Sequence, residues 1–377
     1  MNTLLRLAAP LALGACLVCA VAPALSRAEA PAKHYVCVPC GLPCDGAVYD
    51  KPGICPKCGM ALVDRDSVTT HPRQKVAILI FDGVEIIDYS GPYEVFGAAD
   101  FDVYTVAETK DPVTTAMGMT VVPKYTFADA PQPDVLVVPG GGVRAAQNSA
   151  PTLKWVTDAT AGAVHTMSVC NGAFILASAG LLDGLTATTT SGNIDRLRAQ
   201  YPKIKVVDDR RYVDNGKIIT TAGLSAGIDG ALHVVATMLG DGTAQEVALG
   251  EEYDWRSRSD FARAALADRL IPDLGLQEVG RWDVVRTEGS TTRWDLVVRG
   301  TSDLGVAELM DHVARALTTK GKWTSVKAAS AGPASRTTSG WNFSGRDGRR
   351  WTGTLKVESA PGESHHYTAE LSIARAS

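Results

Sequence analysis

The sequence has little of what nucleic-acid-binding and membrane-spanning proteins need. Its 377 residues carry a formal net charge of -4 at pH 7, so no basic excess is present to attract phosphates. No DNA-binding helix-turn-helix pattern is present either. After residue 25, no apolar run is long enough to cross a bilayer. We therefore expect no nucleic-acid partner, and this length predicts about two or three domains.

The first thirty residues differ from the rest of the chain. A short positive start at 1–6 precedes an apolar stretch at 7–25, which prolines interrupt and small residues follow. This pattern is typical of an export signal. We expect residues 1–30 to be that signal and the protein to be periplasmic or otherwise exported. Leu-Gly-Ala-Cys16 also fits a lipobox, so the alternative is a lipoprotein anchored at Cys16.

Outside this segment, cysteine is confined to Cys170 and one cluster. The cluster contains Cys37, Cys40, Cys44, Cys55 and Cys58. Two of its Cys-x-x-Cys pairs, 37/40 and 55/58, can direct four sulfurs at one point, which suits zinc or another thiophilic ion. The small segment 33–65 has almost no apolar core, so it needs either a metal or disulfides to fold.

Three stretches of this segment, at 35–37, 50–53 and 55–63, resemble the heavy-metal-binding module found beside copper and heavy-metal efflux proteins. The resemblance implies a metal ion as partner, with copper as an alternative to zinc. That family usually has Cys-Pro-Met-His where this chain has Cys37-Val-Pro-Cys40. Cys44 and Met60 are soft groups that Cu(I) could use; otherwise Cys44 is a spare thiol and Met60 packs.

From residue 75 onward, short apolar strands alternate with helical segments. The strands are predicted at 76–81, 101–107, 134–138, 163–169, 205–207 and 218–220, and the helices at 92–99, 151–161 and 225–239. This alternation predicts an α/β fold with a doubly wound, mainly parallel sheet, a flavodoxin-like sandwich that binds ligands at the carboxyl ends of its strands.

Cys170 lies where one of these strands meets a helix through a Cys-Asn-Gly step. A strand that turns sharply into a helix is the geometry of a nucleophile elbow, which exposes the sulfur and points the first N–H groups of the helix at it. Both effects favour the thiolate. The alternative is a small apolar residue in the core.

Two other strand ends carry groups that complement a thiol. The first strand leads to Asp88, and the third leads to glycines 140–142, whose N–H groups could hold an oxyanion. A thiol, an acid and such amides are the parts of a cysteine-dependent addition or acyl-transfer site. Taken alone, Asp88 fits a helix cap or a solvated loop equally well.

Several stretches then carry a family pattern, among them Gly-Pro-Tyr-Glu-Val-Phe at 91–96, Val-Val-Pro-Gly-Gly at 137–141 and Ser-Val-Cys-Asn-Gly at 168–172. On these, residues 75–255 resemble the ThiJ/PfpI superfamily of the class I glutamine-amidotransferase-like fold, in the branch of isonitrile hydratases and AraC-regulator N-terminal domains. The resemblance implies that Cys170 is the nucleophile and Asp88 its acidic partner. It also implies that Gly141 and Asn171 supply the oxyanion amides.

The chain departs from this pattern at two positions. Thr190 stands where many members have histidine, which excludes a Cys-His-acid triad at that position and favours Asp-assisted addition to a small electrophile. Asn171 replaces the threonine common in the hydratase branch. His165 is expected to be a core or strand-face residue rather than a substitute base.

Residues 259–377 predict a small α+β domain without a recognised family. Helices are expected at 259–270 and 306–318, and strands at 281–287, 292–299, 338–341, 350–357 and 366–373. Five of the seven Trp lie in this region. We expect them to pack in its core rather than to stack against a ligand.

These features lead to two hypotheses. The first is an exported cysteine-dependent enzyme, a hydratase, hydrolase or deglycase acting on a small-molecule substrate, with a metal-binding module and no cofactor at Cys170. The second is a non-catalytic periplasmic metal or redox sensor. Relatives commonly dimerise, so a homodimer is expected in either case.

Overall fold

The computed structural model describes residues 33–37, 43–44, 47–65, 73–259, 261–326, 336–345 and 347–376. They fall into two compact units, one in the N-terminal region and one that starts at Arg73. The predicted export signal, Cys16 and Cys40 lie outside the described residues. Among the helices that are described, none is long and apolar enough to cross a membrane.

The N-terminal unit is built around sulfur. Its strands β1 (Tyr35–Cys37), β2 (Val48–Tyr49) and β3 (Leu62–Asp64) form an antiparallel sheet in the order β2-β1-β3. The buried side chains at its centre are those of Cys37, Cys44 and Cys55. A core of thiols instead of aliphatic groups agrees with the expectation that this segment needs cross-linking to be stable.

The second unit contains a seven-stranded sheet with the order β13-β14-β10-β9-β4-β5-β8. All pairs are parallel except β13 with β14 at one edge, which confirms the predicted doubly wound α/β fold. Its strands are β4 (Lys75–Leu79), β5 (Asp102–Ala107), β8 (Tyr125–Thr126), β9 (Val135–Val138), β10 (His165–Ser168), β13 (Tyr212–Asp214) and β14 (Ile218–Thr221).

Two small ribbons accompany this sheet. One is an antiparallel pair, β6 (Val113–Thr114) with β7 (Thr120–Val121). The other is a parallel pair, β11 (Thr186–Ala187) with β12 (Lys205–Val206). The strand predicted at 205–207 therefore exists, but it pairs outside the main sheet.

Helices cover both faces of the main sheet. They are α1 (Ile86–Ala98), α2 (Ala150–Gly162), α3 (Gly172–Ser178), α4 (Ile194–Gln200), α5 (Ser225–Leu239) and α6 (Asp241–Gly250). Alternate residues of β4 enter different cores: Val76 and Ile78 pack with α1, α5 and α6, whereas Ala77 and Leu79 pack with α2, α3 and α4. Since all four are buried, the strand reads as a continuous apolar run.

Helix α1 begins earlier than predicted. The sequence predicts a helical segment at 92–99, but α1 begins at Ile86 and Pro92 lies inside it. The earlier start places Asp88 in the first turn. There it is fully buried, which excludes the solvated loop position considered from the sequence.

The C-terminal part adds a six-stranded antiparallel sheet with the order β15-β16-β20-β19-β18-β17. Helix α7 (Val306–Thr319) confirms the helix predicted at 306–318, and it packs its apolar side chains on this sheet. The strands are β15 (Arg281–Gly289), β16 (Arg293–Thr301), β17 (Thr324–Val326), β18 (Arg336–Ser344), β19 (Arg350–Ser359) and β20 (His366–Arg375). This sheet has its own core but belongs to the same compact unit as the α/β part.

The helix predicted at 259–270 is wrong. Among residues 261–270, which the structure describes, there are only short 3-10 turns, at Arg263–Ala265 and Ala267–Leu270, because Ala262 and Leu266 adopt extended backbone angles. The extended residues turn Leu266 and Ala267 toward the C-terminal core. Tertiary packing thus overrides the local helix propensity.

Tryptophans form much of the C-terminal core. Trp294, Trp323, Trp341 and Trp351 are buried, and Trp323 stacks on Phe343 with 4.0 Å between ring centroids. The expectation that these rings pack in the core is therefore confirmed for four of them, while Trp282 is half-buried at its edge.

The C-terminal core generates a stability prediction. Val357→Ala should lower the free energy of unfolding by about 2–3 kcal/mol, because Val357 is buried and its truncation leaves a cavity. Val285→Ala, on an exposed position of the same sheet, should change it by less than about 0.5 kcal/mol. Denaturant unfolding followed by tryptophan fluorescence measures both; equal losses would contradict the assigned core.

Candidate functional site

The predicted elbow is present at Cys170. Its φ of 56° lies in the left-handed region, a strained conformation for a residue with a side chain and one that is frequent at functional sites. The next turn passes so close to β9 that a Cβ on Gly172 would collide with the Val138 carbonyl oxygen. Helix α3 starts at that glycine. The Cys-Asn-Gly step therefore folds as the sequence predicts.

Asp88 reaches the same point from α1. Its carboxylate accepts hydrogen bonds from the N–H groups of Gly140 (3.2 Å) and Leu224 (3.0 Å) and contacts the Cys170 thiol. Burial raises the pKa of Asp88 to about 6, although those three hydrogen bonds oppose the rise. A carboxyl group with this pKa can both accept and donate a proton near neutral pH.

The Cys170 thiol is protonated in the free protein. Burial raises its pKa to about 12, and the negative charge of Asp88 adds to the rise. The N–H of Asn171 and the hydroxyl of Thr190 act in the opposite direction but do not outweigh burial. The expectation of a resting thiolate is therefore wrong, because the burial of Cys170, which is only 9% exposed, outweighs the effects of the elbow.

The predicted oxyanion amides lie beside the sulfur, but the Asn171 N–H is bonded to the sulfur and the Gly141 N–H to a side chain. The Gly141 N–H donates to Asn171 Oδ1 at 3.3 Å, and Asn171 Nδ2 donates to the Gly141 carbonyl at 2.8 Å. The Cys170 thiol donates to the same Oδ1 at 2.9 Å. Gly141 has a φ of 108° and no room for a Cβ against Gly83.

Sequence reasoning missed two partners of the site. From the sequence, Thr190 is notable only because it replaces the histidine of many family members, yet its hydroxyl bonds the Cys170 sulfur. Leu224 carries no sequence signal at all, because it acts through its backbone N–H, 136 residues away from Asp88. His165 bonds the Gly216 carbonyl at 2.9 Å, as a strand residue rather than a base.

The second candidate site is the thiol cluster of the N-terminal unit. The Sγ atoms of Cys37, Cys44, Cys55 and Cys58 all lie within 4.8 Å of one another. Cys44 thus joins the group, whereas Cys40, expected in the first pair, lies outside the described residues. Met60 packs against the cluster.

The donor set fits a thiophilic metal. The N–H of Lys57 lowers the pKa of Cys55 to about 6, with help from the Tyr49 hydroxyl and the N–H of Cys58. The hydrogen bond to Cys58 raises the pKa of Cys37 instead, so Cys37 holds a proton that a metal would displace. Four converging thiolates are the ligands that zinc and copper(I) prefer.

The fold and its strand-end site define a doubly wound α/β protein with a buried cysteine elbow. Residues 74–237 match the DJ-1/PfpI family and residues 34–64 match the heavy metal binding domain. The chain is 38% identical over 214 residues to an isonitrile hydratase of Pseudomonas putida. The aligned region covers 54% of this chain and 92% of that protein. It therefore belongs to the DJ-1/PfpI family, and both predicted resemblances are confirmed.

Other relatives share parts of the same region. The HTH-type transcriptional regulator CdhR of Pseudomonas aeruginosa is 30% identical over 42% of this chain and 47% of its own length. A solved ThiJ/PfpI family protein from Pseudomonas syringae is 36% identical, covers 50% of this chain and 78% of its own, and has a TM-score of 0.46.

The cluster generates a metal-binding prediction. Cys44→Ser should weaken zinc binding at least about 100-fold, since four ligands together contribute about 10–16 kcal/mol in structural zinc sites. Competition with a chromophoric chelator measures the affinity. Met60→Leu, which keeps the packing volume, should leave it within about threefold. Undiminished affinity in Cys44→Ser would show that Cys44 is not a ligand.

The buried pair generates a reactivity prediction. Asp88→Asn removes the charge that raises the pKa of Cys170, so thiol modification at pH 8 should be about tenfold faster than in the wild type. Methyl methanethiolsulfonate labelling with peptide mass spectrometry follows Cys170 alone. Asp158→Asn, on the exposed face of α2, is the control and should react as the wild type does. An unchanged rate in Asp88→Asn would disprove the coupling.

Proposed function

We propose that this protein is a cysteine-dependent hydratase that adds water to a small electrophile, with isonitriles as the first class to test. The observation that carries the proposal is the convergence of the Cys170 thiol, the Asp88 carboxyl group and the Gly141 N–H at neighbouring strand ends. The likeness to an isonitrile hydratase over 92% of that protein supports the choice of substrate class.

The chemistry follows from the groups present. The S–H of Cys170 adds across the terminal carbon of R–N≡C, with Asp88 carrying the thiol proton to that carbon, and gives the thioimidate R–N=CH–S–Cys. Water then adds to the C=N bond and gives R–NH–CH(OH)–S–Cys. Breaking the C–S bond releases the formamide R–NH–CHO and returns the proton to the sulfur. The net reaction is R–N≡C + H2O → R–NH–CHO.

Asp88 replaces the histidine base in this scheme. Its pKa of about 6 lets it accept the thiol proton and give it back within one cycle near neutral pH. The Gly141 N–H stabilises the oxygen that becomes negative as the tetrahedral adduct collapses. Thr190 donates to the sulfur when it carries charge, which eases its departure.

The proposal also covers the N-terminal unit, the first thirty residues and the oligomeric state. The N-terminal unit would hold a zinc or copper ion through Cys37, Cys44, Cys55 and Cys58, where the ion would order a segment without an aliphatic core. We further propose export from the cytoplasm on the basis of residues 1–30, with acylation of Cys16 as the alternative to cleavage, and a homodimer in solution.

A second candidate function is a non-catalytic metal or redox sensor. The neutral thiol and the filled anion site of the free protein favour it, since neither is set up for immediate reaction. In this case the thiol cluster would bind metal normally while no electrophile is turned over. Turnover and metal content measured in the same samples separate the two functions.

The proposed function predicts the outcome of a substrate screen. Alkyl isonitriles, nitriles and α-oxoaldehydes are incubated with the protein, and products are followed by proton NMR. Isonitriles should yield formamides; Cys170→Ser should abolish this, and Asp88→Asn should slow it by about 10²–10⁴-fold. Asp158→Asn should retain wild-type turnover. Formamide production that persists in Cys170→Ser would exclude the mechanism.

A further inference from the structure

The carboxamide of Asn171 occupies the place where a reacting substrate would be held. Its Oδ1 lies 2.9 Å from the Cys170 sulfur and 3.3 Å from the Gly141 nitrogen. Its Nδ2 lies 2.8 Å from the Gly141 carbonyl oxygen. The oxygen of the tetrahedral adduct R–NH–CH(OH)–S–Cys would make the first two of these contacts, so the side chain takes the position of that oxygen.

This placement does not serve the helix that follows. Asn171 precedes α3 at the N-cap position, where asparagine ordinarily accepts a hydrogen bond from a backbone N–H of the first turn. Here it makes no side-chain cap bond. Instead the carboxamide uses both its acceptor and its donor on the backbone of one residue, Gly141.

The neighbouring backbone is shaped around this carboxamide. A Cβ at Gly140 would lie 2.6 Å from Asn171 Oδ1, 2.8 Å from the Asn171 backbone nitrogen and 2.8 Å from Asp88 Oδ2, closer than real Cβ contacts occur. A side chain at position 140 would therefore collide with the amide, the acid and the backbone of the elbow. Glycine here allows both to lie beside the sulfur at once.

We propose that Asn171 is a built-in occupant of the anion site and that the site selects ligands which, like a carboxamide, present a carbonyl oxygen together with an N–H. Substrate reaches the sulfur only when this side chain rotates away. The inference rests on the proposed hydratase function for its ligand class, because the formamide product R–NH–CHO carries the same two groups, whereas the isonitrile carries neither. Such products should compete with Asn171 for Gly141.

Rotation of Asn171 also changes which group accepts the S–H hydrogen bond of Cys170. While Oδ1 accepts the S–H bond, the proton stays on sulfur; once Oδ1 leaves, the remaining acceptor in contact with the thiol is the Asp88 carboxylate. As the sulfur attacks, the S–H bond breaks, the proton passes to Asp88, and the electron pair of sulfur forms the new bond to carbon. Displacement of the occupant therefore opens the sulfur to its substrate and leaves the S–H group bonded to the acid that accepts its proton.

The test is Asn171→Ala, with the rate of Cys170 modification by methyl methanethiolsulfonate as readout. This reagent carries no amide. The variant should react about tenfold faster than the wild type, because hydrogen bonds that hold the occupant are gone. Asn193→Ala is the matched control, since Asn193 also precedes a helix without making a cap bond, and it should react as the wild type does.

Acetamide makes the test specific. It replaces the missing carboxamide in Asn171→Ala, so it should slow modification of that variant back toward the wild-type rate, while wild-type protein should be insensitive. Asn171→Thr is a second variant, whose shorter side chain cannot reach both backbone groups of Gly141; it should also react faster and respond to acetamide. Wild-type rates in both variants, or equal protection of all proteins by acetamide, would overturn the inference.

These readouts are independent of turnover. Faster modification and acetamide protection without hydration of any isonitrile would remove the proposed function and leave the occupant in place. Hydration with unchanged modification rates in Asn171→Ala and Asn171→Thr would remove the occupant and leave the function.

Discussion

The buried carboxylate of Asp88 is the constraint on which the rest of the site depends. A carboxyl group with a pKa of about 6, against 3.8 when unperturbed, binds a proton more readily in the folded chain. The folded state is therefore favoured at low pH, and as pH rises through 4 to 6 this group withdraws up to about 3 kcal/mol of stability. The N–H groups of Gly140 and Leu224 limit that loss by donating hydrogen bonds to Asp88. The same two hydrogen bonds hold α1, the end of β9 and the turn before α5 around one point.

The same burial sets the state of the sulfur. Cys170 lies at a strained elbow that would expose a thiolate in an open cleft, yet the low-polarity surroundings and the charge of Asp88 keep it protonated. A neutral thiol held against an amide oxygen is protected from indiscriminate oxidation and alkylation. Under the role proposed for Asn171, the sulfur becomes accessible only after this amide has rotated away.

The sequence predicts much of the Cys170 site, because the carboxyl ends of parallel strands meet at one edge of a sheet. Apolar runs followed by Asp88, Gly141 and Cys170 were enough to bring three groups together, since topology alone decides which strand ends are neighbours. What could not be read depends on side-chain rotation and backbone amides. Residue types do not indicate that the Asn171 side chain turns toward Gly141, or that the Leu224 N–H bonds Asp88. The short turns at 263–270 were missed because the core, not local propensity, decides them.

The chain carries two kinds of sulfur, and physical chemistry separates their uses. In the N-terminal unit, backbone N–H groups lower the pKa of Cys55 and four Sγ atoms converge within 4.8 Å, which is what a thiophilic cation requires. Cys170 is a single sulfur with a raised pKa, bonded to an amide oxygen. A metal ion gains four sulfur ligands at the N-terminal cluster, but only one protonated thiol at Cys170. Metal binding and thiol chemistry can therefore coexist on one chain without the metal blocking Cys170.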